Sequence, residues 1–133
     1  MVDDSPAARL RTALESRDVP AVAQTLGRRV LVVHDHGDSS SGIFRGRRSA
    51  AALIGILERV GATAVQQSAV NGEPGIVLRD ACGDVVGVLA LDPGRRRFRS
   101  VWVCTAPQKL RGWRRSDPAD GDVTSEDPPL STL

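Results

Sequence analysis

The chain has 133 residues, which fits one domain large enough to bury a core without disulfides. Aromatic residues make up only 3% of it and Tyr is absent, so the core must be built from aliphatic side chains. The 18 basic and 16 acidic residues nearly balance, which argues against a protein whose main role is to bind phosphate backbones.

Two cysteines, Cys82 and Cys104, form no C-x-x-C pair and have no histidine at metal-binding spacing, which favours a reduced, cytoplasmic protein. The opening MVDDSPAARL lacks the apolar centre of a signal peptide. No apolar run approaches the roughly 20 residues that span a bilayer. We therefore expect a cytoplasmic chain without membrane or direct nucleic-acid contacts.

Three helices are predicted in the first half of the chain. Ser5 can cap the first helix, and Asp18 can cap the second, because their side-chain oxygens accept from free amides. Gly27 is well placed to end the second helix in the left-handed conformation. The third helix is predicted from about Ser49 to Gly61.

Strands account for the rest of the regular structure. The β-branched run RRVLVVHDHG predicts a strand between the second and third helices, and DSSSG after it predicts a loop. Four more strands are separated by the turn signals Asn71-Gly72, Cys82-Gly83-Asp84 and Pro93-Gly94. Consecutive strands with short turns pair as an antiparallel meander. The sequence thus predicts an α+β fold, a curved antiparallel sheet around three N-terminal helices.

The predicted boundaries leave a single domain at residues 5–115, preceded by an extension at 1–4. Residues 116–133, SDPADGDVTSEDPPLSTL, are acidic, rich in proline and nearly free of large apolar groups. Such a segment cannot bury enough surface to offset its chain entropy, so we expect it to be disordered.

This order of elements resembles the nuclear transport factor two-like (NTF2-like) superfamily, also called SnoaL-like, a cone-shaped α+β fold. ALESRDVPAVAQTL is similar to the opening of that superfamily. The rest resembles the C-terminal SnoaL-like domain of extracytoplasmic-function sigma factors, in a V-N-G-x-P-G motif and in an N-P-x-K-L motif with Ala where Asn is usual. The matching residues are Asn71, Gly72, Pro74 and Gly75, then Pro107, Lys109 and Leu110.

Two departures from those sigma factors stand out. Their glycine-rich DGGGK-type loop is replaced here by HDHGDSSSG, and the promoter-reading domains of a sigma factor are absent from these 133 residues. We therefore expect the accessory domain standing alone.

The two histidines, His34 and His36, would point to the same face of a strand. A catalytic metal site needs three protein ligands and no third is evident, so we expect no metal and no cofactor. The resemblance implies a cavity inside the cone, where both histidines would line a ligand pocket. The alternative is a strand end that faces water.

Enzymes of the superfamily, such as ketosteroid isomerase and the polyketide cyclases, use a carboxylate as general base inside the cone, often with a Tyr donor. The candidates here are Asp35, Asp80 and Asp92. Asp80 and Asp92 adjoin turns, where Asp side chains bind local amides. Asp35 points away from its flanking histidines, so it is a weak catalytic candidate.

The last strand carries the remaining candidates. Trp102 is interpreted as a core residue or as a wall of the ligand cavity. Val101 and Val103 give the strand a second apolar face, which must also be covered. The resemblance implies pairing through the outer sheet face, so these two valines and Trp113 are predicted to form the interface of a homodimer or of a complex with another protein.

Arginines flank the last hairpin, at Arg95, Arg96, Arg97 and Arg99. Single-stranded nucleic acid would need aromatic side chains among them for stacking, and these are too few. This arginine-rich segment is best interpreted as the exposed tip of a hairpin.

The leading hypothesis is a non-catalytic domain of the SnoaL-like class that binds a small apolar ligand or another protein. The resemblance implies a regulatory connection, and a protein partner, in transcription initiation. The alternative is a small isomerase, cyclase or hydrolase with a buried carboxylate and an apolar substrate. A buried carboxylate that points into an open cavity would favour the enzyme over the non-catalytic domain.

Overall fold

The computed structural model describes residues 5–37, 42–70 and 72–114, with side chains described as far as Arg111. The predicted disordered segment and the 1–4 extension lie outside these residues. The elements in chain order are α1 (Pro6–Glu15), α2 (Val19–Thr25), β1 (Leu26–Asp35), β2 (Gly42–Arg45), α3 (Arg48–Arg59), β3 (Ala64–Val70), β4 (Glu73–Arg79), β5 (Val85–Pro93), β6 (Phe98–Cys104) and α4 (Pro107–Arg114).

The predicted helix caps are present. Ser5 Oγ accepts from the amide of Ala8 at 3.2 Å, and Asp18 Oδ1 accepts from Ala21 at 3.2 Å. The prediction for Gly27 was wrong, because α2 ends at Thr25 and Gly27 already belongs to β1. A Cβ at Gly27 would lie 3.1 Å from the carbonyl oxygen of Phe98, so close strand packing favours glycine there.

The six strands form one sheet in the order β2-β1-β6-β5-β4-β3. Strands β3 to β6 are the predicted antiparallel meander. Two features differ from the prediction. Strand β1 pairs with β6 in parallel, and residues 42–45, where no strand was predicted, form the edge strand β2. The sheet is therefore mixed, although mostly antiparallel.

Helices α1, α2 and α3 pack on the inner face of the curved sheet. They share one continuous aliphatic cluster with it, the inner core, whose fully enclosed members include Leu10, Leu14, Val22, Leu53, Leu57, Ile76, Leu78, Leu89 and Val103.

Helix α4 lies on the outer face, where Leu110 joins a second cluster with Val70, Val77, Val85, Val88, Cys104 and Ala106. We name this set the outer cluster. The sequence predicted helices on one face only. The second apolar face of the meander explains the difference, because a strand that is apolar on both sides must be covered on both sides.

A bulge in β6 decides which side chains face the helices. Residue Asp92 pairs with Ser100, but the next residue of β5 pairs with Phe98, so Arg99 is the extra residue. Without the bulge, Phe98 and Trp102 would share a face, because side chains alternate with a period of two. With it, Phe98 points inward and Trp102 points outward.

Gly75, in the V-N-G-x-P-G motif, has a packing role. A Cβ on Gly75 would collide with the buried Val70 side chain and would lie 2.8 Å from the carbonyl oxygen of Leu89. At Gly75 the motif therefore brings β4 so close to Val70 of β3 and to the backbone of β5 that no side chain fits.

We predict that Gly75→Ala lowers the free energy of unfolding by about 2 kcal/mol or more, because the neighbouring backbone cannot yield to the added methyl group. Gly55→Ala is the matched control. Nothing lies within 4 Å of its Cβ position in α3, and the change should raise stability by roughly 0.5–1 kcal/mol through helix propensity. Urea unfolding measures both, and equal effects of the two variants would contradict the packing argument.

Candidate functional site

The interior of the cone is occupied by aliphatic side chains of the inner core. Among the described residues, the buried polar side chains are Thr25, His34 and Ser49. None of these three carries a carboxylate. The hydroxyl of Thr25 donates to the carbonyl of Val22 at 2.8 Å, within α2.

His34 is the buried titratable side chain of the site. It follows Val30 and Val32 on the inward-facing positions of β1 and is 6% exposed. A hydrogen bond of 2.8 Å joins its Nε2 to Oγ1 of Thr105, just beyond β6. The ring of His36 meets it edge-on at a centroid distance of 5.2 Å. The structure thus brings both predicted histidines together at one end of the inner face, with His36 exposed.

The surroundings of His34 favour its neutral form. Burial lowers its pKa from the ordinary value of 6.5, and the nearby charges of His36 and Arg59 lower it further. The carboxylate of Asp35 acts in the opposite direction without outweighing them. A neutral imidazole bonded to a hydroxyl can accept a proton, so His34 is the described inner-face group with acid–base capacity.

Asp35 does not line the interior. Its Oδ2 accepts from Nζ of Lys109 at 2.6 Å, and its Oδ1 accepts from the amide of Gly37 at 3.1 Å. The side chain of Asp35 is 14% exposed and that of Lys109 is 28% exposed. Successive side chains of β1 point to opposite faces of the sheet, so Asp35 lies on the face opposite to His34. There it attaches α4 to the end of β1. This placement matches the predicted alternation of Asp35 with its flanking histidines, and it leaves the weak candidate outside the cone.

The other two carboxylate candidates have local structural roles. Asp80 Oδ1 accepts from the amides of Cys82 and Asp84, which closes the turn before β5. Asp92 pairs with Arg99 at 3.1 Å on the exposed side of the last hairpin. Asp80 agrees with the turn interpretation, whereas Asp92 lies in β5 and its carboxylate accepts from the side chains of Arg99 and Ser100 rather than from a turn amide.

The faces of β6 are the reverse of those predicted. Val101 and Val103, predicted at an interface, are 1% and 0% exposed in the inner core. Trp102, predicted as a ligand contact, is half-buried on the outer face against the outer cluster. The regular pairing of β6 with β1 and β5 sets these faces, and the bulge at Arg99 lets Phe98 join the inner core as well. The side chain of Trp113 lies outside the described residues, so its interface role stays a prediction.

Apolar side chains of four strands line up on the outer face beside α4. Cross-strand pairing places Ile43, Val33, Trp102 and Ala90 in one row, and Leu31 lies two residues before Val33. We name these five residues the outer stripe. Ile43 is 59% exposed and the others are half-buried.

Sequence reasoning missed three of these contributors. Lys109 had been noted only as part of the P-x-K-L motif, and its spacing from Asp35 gave no sign of a contact. Thr105 carried no sequence signal at all. Ile43 lies between the predicted DSSSG loop and the third helix, where no element was predicted, although the alternation of Ile43 and Phe44 between the two sheet faces is typical of a short strand.

No group of three His, Cys, Asp or Glu side chains that could hold a metal ion occurs in residues 5–37, 42–70 and 72–114. In the same ranges, no helix is long and apolar enough to cross a bilayer.

A curved, mostly antiparallel sheet closed over three helices defines an α+β cone, and comparison with solved structures confirms the NTF2-like fold. An NTF2-like protein of unknown function from Cytophaga hutchinsonii is 11% identical, with a TM-score of 0.52 over 82% of this chain and 96% of that one. Bal32a, from a soil-derived mobile gene cassette, is 15% identical, with a TM-score of 0.55 over 83% and 92%.

The extracytoplasmic function sigma factor SigJ of Mycobacterium tuberculosis is also similar, with 20% identity and a TM-score of 0.58. The alignment covers 80% of this chain but 42% of SigJ, so the chain spans less than half of that sigma factor. No protein-family model and no curated protein matches the chain. At these identities the likenesses show the fold alone.

We predict that the Asp35–Lys109 pair stabilises the docking of α4. Asp35→Asn and Lys109→Gln should each lower the free energy of unfolding by about 1–2 kcal/mol, because the remaining partner is left partly desolvated. A double-mutant cycle should give a coupling energy of about 1 kcal/mol. The more exposed pair Asp92–Arg99 serves as the control and should show a coupling of about 0.5 kcal/mol or less.

The lowered pKa of His34 predicts a pH-dependent stability. Because the unfolded chain binds this proton more readily, the stabilisation is fully present above pH 6.5 and is lost as the pH falls below it. Urea unfolding between about pH 5.5 and 7.5 should show a smaller slope for His34→Gln than for the native chain. The control His36→Gln should retain most of the slope, and an unchanged slope in His34→Gln would refute this assignment.

Proposed function

We propose that the chain is a non-catalytic interaction domain of the SnoaL-like class. The observation that carries the proposal is the distribution of acidic groups. None of the described carboxylates is buried in the inner core, and the three predicted candidates have structural partners elsewhere. Carboxylate-based isomerase, cyclase or hydrolase chemistry therefore lacks its general base in the described part of the chain.

The filled interior also supports an interaction role over the binding of an apolar ligand inside the cone. Leu53, Leu57 and Leu89 are each 0% exposed and lie between the helices and the sheet, where such a ligand would have to sit. Opening that space would expose well-packed aliphatic surface at a cost of roughly 25 cal/mol per Å².

The outer stripe is the surface that the domain offers to a partner. Its central row crosses four strands, so it is about 15 Å long at the usual strand spacing. Helix α4 covers the neighbouring outer cluster and contacts β5, but the stripe toward β2 keeps Ile43 mostly exposed. An apolar row of this kind on a sheet face is stabilised when a second surface covers it.

A second copy of the chain is the partner that we propose for this stripe. The five stripe residues carry no charge that would select an oppositely charged partner, and a two-fold axis pairs identical apolar surfaces with each other. The resulting homodimer would place the two sheets face to face and leave the inner cores unchanged.

The fold likeness to a sigma factor supports a wider proposal by analogy alone. In it, the dimer works in the cytoplasm and regulates transcription initiation through a protein of the transcription machinery.

We predict that the native chain sediments as a dimer of twice its 14.1 kDa mass and that Ile43→Glu makes it monomeric. A carboxylate in the stripe would be desolvated without a partner, so the dimer dissociation constant should rise at least about tenfold. Sedimentation equilibrium measures the mass and the dimer dissociation constant of the native chain and of the variant. Far-UV circular dichroism checks that the variant is folded.

Val19→Glu is the matched control. Val19 is also a large exposed apolar residue, 40% exposed, but it lies at the start of α2 and away from the outer stripe. This variant should remain dimeric. A native chain that stays monomeric at all concentrations, or two variants that behave alike, would refute the homodimer.

A further inference from the structure

Arginines from separate parts of the chain meet at one end of the sheet. Arg28 of β1, Arg47 just before α3 and Arg97 of the β5–β6 hairpin line a groove of about 260 Å³. A wider opening of about 920 Å³ adjoins it and shares Arg28 and Arg97. Arg95 and Arg96 complete the wall of this opening. We name the two parts together the basic groove.

Small residues form the floor of the inner part. Ala23, Gly27 and Gly46 line it, so backbone atoms of α2, β1 and the turn before α3 lie close to the space between the arginines. Gly46 has a φ of +64°, a left-handed conformation that glycine adopts without strain. A ligand in this space can therefore approach the main chain and the arginines that line the same groove.

The arginines of the basic groove have no carboxylate partner among the described residues. By contrast, Arg11 pairs with Glu15 and Arg99 pairs with Asp92. The described ranges contain 17 basic and 8 acidic side chains, whereas residues 116–133 contain five acidic side chains and no basic one. The described ranges are therefore strongly basic, although the net charge of the whole sequence is only +2.

We propose that the basic groove binds a small anion that carries two or more phosphoryl groups. Guanidinium groups bind phosphoryl oxygens in a bidentate manner, and several converging arginines match several phosphoryl groups. The N-cap residue of α3, Arg47, makes no side-chain hydrogen bond to the helix amides, and the first turn contains no acidic residue. The positive end of the helix dipole adds to the same potential.

A small anion fits the basic groove better than a nucleic acid does. No aromatic side chain is present among the described residues that line either part, so bases would find no stacking partner. The inner part, at about 260 Å³, accommodates a few phosphoryl groups between three structural elements.

Isothermal titration of the full chain with inorganic pyrophosphate at low salt tests the proposal. We expect saturable binding that Arg28→Gln and Arg97→Gln each weaken by about tenfold, the effect of losing hydrogen bonds to a charged group. Arg29→Gln is the matched charge control, because Arg29 is the exposed neighbour on β1 and does not line the groove. Binding by this variant should stay within about twofold of the native value, since only long-range attraction is lost.

A second pair of variants tests shape at constant charge. Ala23→Leu fills the groove floor from the exposed side of α2 and should weaken pyrophosphate binding, whereas Ala51→Leu, at an exposed position of α3, should not. Absence of saturable binding would overturn the proposal, as would equal losses in Arg28→Gln and Arg29→Gln. Tighter binding of a single-stranded oligonucleotide than of pyrophosphate would overturn the choice of a small anion.

Discussion

The structure depends on covering a sheet that is apolar on both faces. Strands β4, β5 and β6 place aliphatic side chains inward against α1, α2 and α3, and outward against α4. Each fully buried aliphatic side chain contributes about 1.5–3 kcal/mol, so neither face can be left to water without a large loss of stability. The inner face is fully covered within one chain, whereas among the described residues it is α4 that covers the outer face.

His34 and Asp35, adjacent at the end of β1, lie on opposite faces of the sheet and have different roles. His34 enters the inner face, where burial keeps the imidazole neutral beside Thr105. Asp35 leaves on the outer face and holds Lys109 of α4. No described carboxylate is buried in the inner core, and the one that follows His34 attaches the covering helix instead. This arrangement is what supports the interaction role that we propose.

Charge is distributed as unevenly as apolar surface. The carboxylates that balance the sequence are concentrated in residues 116–133, while the arginines of the β5–β6 hairpin meet Arg28 and Arg47 at one end of the sheet. Apolar and basic surfaces therefore occupy different parts of the domain, the outer stripe on the convex face and the basic groove at the hairpin end. The second copy and the small anion that we propose as partners would therefore occupy separate surfaces.

The sequence alone determined the local structure: the caps at Ser5 and Asp18, the left-handed stop of α3 at Gly61, and the meander with its turns, because these depend on neighbours in the chain. From them the α+β class could be predicted, and the resemblance of the element order and motifs to a known superfamily implied the NTF2-like fold. Only the tertiary structure decided which face each side chain of β6 occupies, since a single bulge at Arg99 reverses the alternation. It also decided the Asp35–Lys109 pair and the meeting of the arginines, because residues up to 74 positions apart come together only when the sheet closes.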